Sequence, residues 1–183
     1  MGQPSAGVGD ARRILITGLP GSGKSTVGRL VAAGIERSVH IDADLVRESI
    51  VGGFVHPDVG FADEFIEQIR LQREIVNLWA ERMVTAGYTA VIDDAPIPPP
   101  PHLASHYAHV IDQASTIKVV LKPSTAALHE RLTARGGRFD EMFLQILDRL
   151  HESIGTHDFS DWDVIDSTDQ TPDVTAAAIL DLL

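Results

Sequence analysis

The chain has 183 residues, 44% of them hydrophobic, and a formal net charge of −11. That length predicts one compact domain with a real core. The acidic balance speaks against stable, sequence-independent binding to a long polyanion such as a polynucleotide, and favours a small or cationic partner. There is no cysteine, which excludes disulfides, a thiolate nucleophile and cysteine-based metal sites. No apolar run reaches the length needed to span a membrane.

Residues 1–11 are small, glycine-rich and polar, without the apolar stretch of a signal peptide. They read as a flexible tail, leaving residues 12–183 as the folded unit and the cytoplasm as the default compartment. Residues 12–17, Arg-Arg-Ile-Leu-Ile-Thr, form a strand run. Immediately after it stands Gly18-Leu19-Pro20-Gly21-Ser22-Gly23-Lys24-Ser25-Thr26. Gly18, Gly23, Lys24 and Ser25 satisfy the fixed positions of a phosphate-binding loop. Small residues let successive backbone N–H groups curl around an anion, and a helix opening near Lys24 adds its free N–H groups and dipole. In this pattern the nine residues from Gly18 to Thr26 bind the phosphates of a nucleotide. Lys24 reaches the β- and γ-phosphates, and the Ser25 hydroxyl binds Mg²⁺. The alternative, a glycine-rich turn without a ligand, does not explain why a strand and an apolar helix flank the loop on the two sides required.

A short strand, 38–41, leads into an acidic-capped helix over 42–51. Asp42 and Asp44 follow that strand, and Arg47 lies one turn beyond Asp44 on the same face. One carboxylate here can accept the proton of an attacking hydroxyl, while Arg47 binds the acceptor or the phosphate in transfer. Asp44 is the candidate base and, with Asp42 and Arg47, a candidate substrate-binding residue. Capping of the helix is the competing role, above all for Asp42.

A loop over 52–60 precedes a long helix, roughly 63–86, on which Phe65, Ile69, Ile75, Leu78 and Trp79 fall at helical spacings and are expected in the core. Strand 88–93 ends in Asp93, with Asp94 next. Asp93 is the candidate Mg²⁺ residue with Ser25, and Asp94, directed to the other side, a candidate substrate residue. A strand-end turn is the bland alternative for both. Residues 96–101 are proline-rich and exclude helix or central strand. A helix is expected over 102–112, where His102, His106 and His109 form a solvated face.

Strand 117–121 and helix 125–134 follow, then the breaker Arg135-Gly136-Gly137-Arg138 and a helix over 141–154. Arg131, Arg135 and Arg138 sit at spacings of four and three across that break. They fit a helical lid over about 131–142, with Arg131 and Arg135 on the ATP phosphates and Arg135 catalytic together with Lys24 and Asp44. A solvated basic helix end is the other possibility. The strand 162–166 and the helix 174–183 complete the pattern, with Asp166-Ser167-Thr168 bordering the nucleotide base.

Strands alternating with helices predict an α/β fold in which five parallel strands carry helices on both faces, a three-layer α/β/α arrangement. In such sheets ligands sit beyond the carboxyl ends of the strands, where Asp42, Asp44, Asp93, Asp94 and the phosphate loop converge.

On these residues the chain resembles the P-loop kinase superfamily, and within it the kinase domain of the polynucleotide-kinase-like group. The shared features are the phosphate loop Gly18 to Ser25, an Asp-x-x-Arg at Asp44 and Arg47, the acidic strand end Asp93-Asp94, and the lid pair Arg135-Gly136. Gluconate kinases, shikimate kinases and chloramphenicol phosphotransferase share the same scaffold and similar motifs. The resemblance implies a P-loop NTPase fold, ATP with Mg²⁺ as the nucleotide on the loop from Gly18 to Thr26, and phosphoryl transfer to a hydroxyl activated by Asp44. Pro96 stands where the polynucleotide-kinase-like group has Asn. With the acidic charge, this favours a small-molecule acceptor of sugar, antibiotic or nucleoside type over a polynucleotide 5′-hydroxyl. A regulatory P-loop ATPase is the reading from another class.

Overall fold

In the computed structural model of the chain, residues 12–56, 63–94, 116–137, 139–156 and 158–183 are described. The expected tail over 1–11, the proline-rich turn over 96–101, the helix over 102–112 and Arg138 lie outside them, as does the second part of the 52–60 loop.

Strands β1 (Arg13–Gly18), β2 (Ser38–Asp42), β3 (Thr89–Asp93), β4 (Thr116–Leu121) and β5 (Asp163–Ile165) form one parallel sheet in the order β2-β3-β1-β4-β5. Helices α1 (Lys24–Ala33), α2 (Ala43–Glu48), α3 (Asp63–Thr85), α4 (Thr125–Arg135), α5 (Asp140–Gly155) and α6 (Pro172–Leu180) connect or cover the strands. The α/β fold with five parallel strands is therefore as the alternation predicts. β1 is central, and all six of its residues are buried.

The twofold alternation of strand side chains sorts the core. Ile14, Ile16, Val91, Val119 and Leu121 face α1 and α6, meeting Val27, Val31 and Ile179. Leu15, Ala90 and Ile92 face the other way, onto Val76 and Ala80 of α3. Val120 on that side packs under α4 and α5 through Leu128, Leu132, Leu147 and Ile154. The same alternation places Asp93 on the α1 side of the sheet.

Two elements differ from expectation. Helix α2 stops at Glu48 rather than near Val51, and its last turn runs into Gly52 and the positive-φ Gly53. In α3 the buried face is Phe65, Gln68, Gln72, Arg73, Val76 and Ala80. Ile75, Leu78 and Trp79, expected in the core, are exposed. The reason lies in what α3 covers. Its first half closes over the carboxyl end of β3 and the loop after α2, where backbone groups and Asp94 need polar partners. Gln68 meets that need: its Nε2 donates to the Gly53 carbonyl at 2.7 Å and its Oε1 accepts from Val55 N at 3.0 Å. No helix among the described residues is long and apolar enough to cross a membrane.

Candidate active site

The loop between β1 and α1 is shaped by backbone. Gly18 has φ +147°, and a Cβ there would lie 2.5 Å from the Leu121 carbonyl oxygen and 2.7 Å from Ser22 Oγ. The chain thus leaves β1 hard against the end of β4, a path closed to other residues. Gly23 caps α1 at φ +94° and supplies no side-chain cap, so the first-turn N–H groups of Lys24, Ser25 and Thr26 open toward the cleft. Ser22 Oγ is buried without a hydrogen-bond partner among the described residues. Leu19 is buried against α4 and α5, and Pro20 and Gly21 form the near rim of the cleft.

Asp93 is 2% exposed and uses both carboxylate oxygens. Oδ2 accepts from Ser25 Oγ at 2.5 Å, and Oδ1 lies 2.8 Å from His40 Nε2. His40 comes from β2, on the same sheet face as Asp93. It fits there because position 28 of α1 is glycine: a Cβ at Gly28 would stand 2.9 Å from His40 Nε2. The composition of the strand gave no sign of this contact. The sign that was available is positional, since parallel pairing sets His40 beside Val91 and Asp42 beside Asp93.

Ser25 and Asp93 offer hard oxygen donors at the mouth of an anion cradle. Among the described residues there is no cluster of three or more His, Cys, Asp or Glu able to enclose a metal ion. This donor set fits Mg²⁺, which keeps waters and takes its remaining ligands from one or two protein oxygens and substrate phosphates.

Asp94 points to the opposite face. Its carboxylate lies 3.8 Å from Arg73 Nε on α3, and its carbonyl accepts from Thr17 Oγ1 at 3.1 Å. Asp93 and Asp94 therefore serve different sides of the sheet.

Asp42 caps α2, its Oδ1 accepting from the N–H groups of Asp44 and Leu45 at 3.1 and 3.4 Å. Burial raises its pKa above the ordinary carboxylate value, and the charges of Asp93 and Asp44 push the same way. Asp44 makes no cap. It faces a cleft of about 150 Å³ whose other walls are the phosphate loop with Lys24, Ser25 and Thr26, then Arg135 and Phe143.

Arg47 does not share that cleft. Expected beside Asp44, it is buried at 7% exposure, its Nη1 donating to the Val55 carbonyl at 3.2 Å. Its guanidinium sits 4.9 Å from the Phe54 ring centre and 5.4 Å from that of Phe65. Cation–π contact and a carbonyl acceptor hold it behind the 52–56 loop.

Arg131 is likewise engaged elsewhere. Its Nη2 donates to the carbonyls of Ser167 at 2.6 Å and Thr168 at 3.0 Å, tying α4 to the loop after β5. Arg135, at the end of α4, reaches the cleft in a bidentate pair with Asp140: Nε donates to Oδ2 at 2.8 Å and Nη2 to Oδ1. Asp140 also accepts from Gly137 N at 2.7 Å. These donors hold the Asp140 carboxyl below its ordinary range, Arg135 first among them, and Asp140 in turn raises Arg135. Asp140 was not singled out in the sequence. Its signal was an acidic residue at the start of a helix that opens five positions after a candidate lid arginine.

The comparisons with known proteins bear on the family and the fold. Residues 14–154 match the family described as AAA domain, and the chain belongs to it. A UPF0200 protein from Aeropyrum pernix is 37% identical over 87 residues, a match spanning 44% of each chain, so the chain covers less than half of that relative's length. Among solved structures, a sugar kinase from Janibacter sp. superposes with a TM-score of 0.65 at 17% identity, covering 94% of both chains. Shikimate kinase from Acinetobacter baumannii, solved with shikimate, gives 0.60 at 20% identity over 94% of this chain and 92% of that one. The tunicamycin resistance protein of Deinococcus radiodurans gives 0.66 at 14% identity over 94% and 95%. The fold is that of the P-loop kinases.

Proposed function

We propose that this member of the AAA domain family is an ATP- and Mg²⁺-dependent kinase that phosphorylates a hydroxyl of a small molecule. One observation carries the reading: Asp44 faces Lys24, Ser25 and Arg135 across a single cleft. A carboxylate opposite a phosphate cradle has a task in hydroxyl activation and none in nucleotide binding alone. The kinase fold of structures solved with small-molecule acceptors is in keeping with it.

In this reading the free backbone N–H groups of the loop and of the first turn of α1, with the Lys24 ammonium, hold the β- and γ-phosphates. Ser25 and Asp93 hold the cation, which when bound neutralises charge on the phosphate oxygens. Asp44 orients the acceptor hydroxyl and takes its proton as its oxygen bonds to the γ-phosphorus and the bond to the ADP oxygen breaks. Arg135, steadied by Asp140, covers the phosphates and excludes water. Arg131 sets the floor beneath the nucleotide through the 167–168 carbonyls. Asp42, Arg47 and Asp94 act on the acceptor side by shaping its walls: Asp42 caps the helix that presents Asp44, Arg47 braces the 52–56 loop, and Asp94 anchors Arg73. Residues 12–183 form one catalytic unit, with a lid over about 131–142, working in the cytoplasm.

The test is ATP consumption with Mg²⁺ against pooled alcohols, with wild type beside Asp44→Asn. Asp44→Asn should bind ATP normally and lose about 10²-fold or more in acceptor-stimulated turnover. Normal turnover in that variant removes Asp44 from the mechanism. Slow hydrolysis that no alcohol stimulates identifies a regulatory ATPase instead.

A further inference from the structure

A second cavity, about 440 Å³, is lined by Glu48, Ile50, Phe54 and Phe139. Its position follows from helix periodicity. Asp44 and Glu48 are four residues apart on α2. Phe139 and Phe143 are four apart at the start of α5, where Phe139 is the N-cap residue. Residues so spaced lie above one another on a helix face, about 6 Å apart. Asp44 and Phe143 line the first cavity, Glu48 and Phe139 the second. The two are thus successive stretches of one groove between α2 and α5, running from the phosphates past Asp44.

The walls of the outer stretch are specific in character. Of the four described residues that line it, three are apolar, and two of these are aromatic. Both rings are braced from behind: Phe54 by the Arg47 guanidinium, and Phe139 by the His56 ring, centroids 4.1 Å apart and inclined at 58°. The only charge among the four is the Glu48 carboxylate. Among the described lining residues, an anionic acceptor would meet Glu48 with no cation to offset it. A polyol would leave most of its hydroxyls without partners against Ile50 and the two rings. A flat apolar body is what such walls accommodate.

We propose that the acceptor is an alcohol carried on an apolar, ring-bearing scaffold, neutral or cationic, with its ring between Phe54 and Phe139, its hydroxyl toward Asp44, and any amine toward Glu48. This rests on the kinase reading above. The acceptor oxygen bonds to the γ-phosphorus of ATP, ADP departs, and the hydroxyl proton passes to Asp44.

The experiment measures Mg²⁺-ATP turnover of the full chain with four pools at equal concentration: ring alcohols bearing an amine, neutral ring alcohols, neutral sugars, and sugar acids with sugar phosphates. Both ring pools should stimulate at least tenfold more than the sugars, and the acidic pool not at all. Glu48 is exposed, so Glu48→Lys should fold as wild type. It should raise the KM of the amine pool at least tenfold and leave that of the neutral ring pool within about twofold of wild type. Phe54→Leu should raise the KM of both ring pools more than that of ATP. Strongest stimulation by sugars or acids, abolished in Asp44→Asn, overturns the acceptor class and leaves the kinase standing. Stimulation by ring alcohols that neither variant alters overturns the seat. No stimulation by any pool, with ATP binding intact, overturns the kinase reading and this one with it.

Discussion

The two sides of the cleft are built by different means. On the phosphate side, the loop from Gly18 to Gly23 takes its shape from backbone dihedrals and from contact with the end of β4, and the corner at Asp93 is fixed by two hydrogen bonds to buried or half-buried partners. On the acceptor and lid side, side chains clamp short loops: Arg47 on Val55, Gln68 on Gly53 and Val55, Asp140 on Arg135 and Gly137. The first construction leaves few residue choices at each position. The second leaves many, because a clamp can be rebuilt from other side chains while the loop it holds changes shape. On the kinase reading, a rigid phosphate cradle beside a more replaceable wall would let one reaction be kept while the acceptor changes.

The largest effect should come from disturbing the backbone-built side. Gly18→Ala forces a Cβ into the Leu121 carbonyl at a φ that L-residues rarely adopt. Together, strain and overpacking should cost about 2–5 kcal/mol of stability, read as a shift in urea midpoint. Gly52→Ala on the acceptor side meets nothing within 4 Å and should change stability by less than about 0.5 kcal/mol. Equal costs at the two positions would erase the distinction drawn between the halves.

Next comes the Asp93 corner. His40→Ala leaves Asp93 Oδ1 without its partner and free to turn from Ser25. Partners that orient metal-binding carboxylates are worth roughly 10–100-fold in metal affinity. The affinity for a non-hydrolysable ATP analogue should fall by about that factor with Mg²⁺ present and stay as it was in its absence. His40→Gln, which carries an amide donor to a similar reach, should recover much of the loss. A loss independent of Mg²⁺ would make His40 a packing residue only.

What could be read from sequence tracks this same division. The phosphate loop was legible because its chemistry is local: nine consecutive residues carry the glycines, the lysine and the serine. The strands were legible as apolar runs, and Asp93 as the acid at the end of one. His40 was not, since its partner lies 53 positions away and only the strand pairing brings the two together. Asp140 lies five positions from Arg135, but a helix break intervenes, where periodicity says nothing about direction. Helix α3 misled for a related reason. Apolar spacing identified the helix, but its inward face is set in part by the polar groups it must satisfy, so Gln68 and Arg73 are buried while Leu78 and Trp79 are outside.

A smaller effect is expected at the lid. Asp140→Asn keeps the volume but removes the charge that steadies Arg135. A hydrogen bond to a charged group contributes about 1.5–3 kcal/mol; with the Arg135 side chain more than half exposed, a loss at the low end of that range should lower turnover roughly tenfold while ATP affinity changes less. The pH dependence has a definite sign. Because the folded state holds the Asp140 carboxyl below its ordinary value of 3.8, the stabilisation it provides is complete above that value and is lost as pH falls through the depressed one. The stability gap between wild type and variant should therefore be flat from pH 8 to 5 and close only below about pH 4.

The smallest effect has the opposite sign. Asp42 caps α2 through acceptor bonds alone, and asparagine caps helices equally well. Its pKa is raised by burial and then by Asp93 and Asp44, so the folded chain holds that proton more tightly than the unfolded one. Stability from this group is greatest at low pH and declines as pH rises through the raised value. At neutral pH the charge on Asp42 is thus a liability, and Asp42→Asn should raise stability, by less than about 1 kcal/mol for a half-buried site that solvent still screens. The gain in melting temperature should be present at pH 8 and vanish as pH falls below the ordinary carboxylate value of 3.8. It should also shrink when Mg²⁺ and an ATP analogue are bound, because a cation beside Asp93 offsets the same repulsion. A gain that Mg²⁺-nucleotide leaves unaltered would mean that burial alone, and not the Asp93 charge, sets the behaviour of Asp42, and that the junction between the two halves is electrically independent of the phosphate corner.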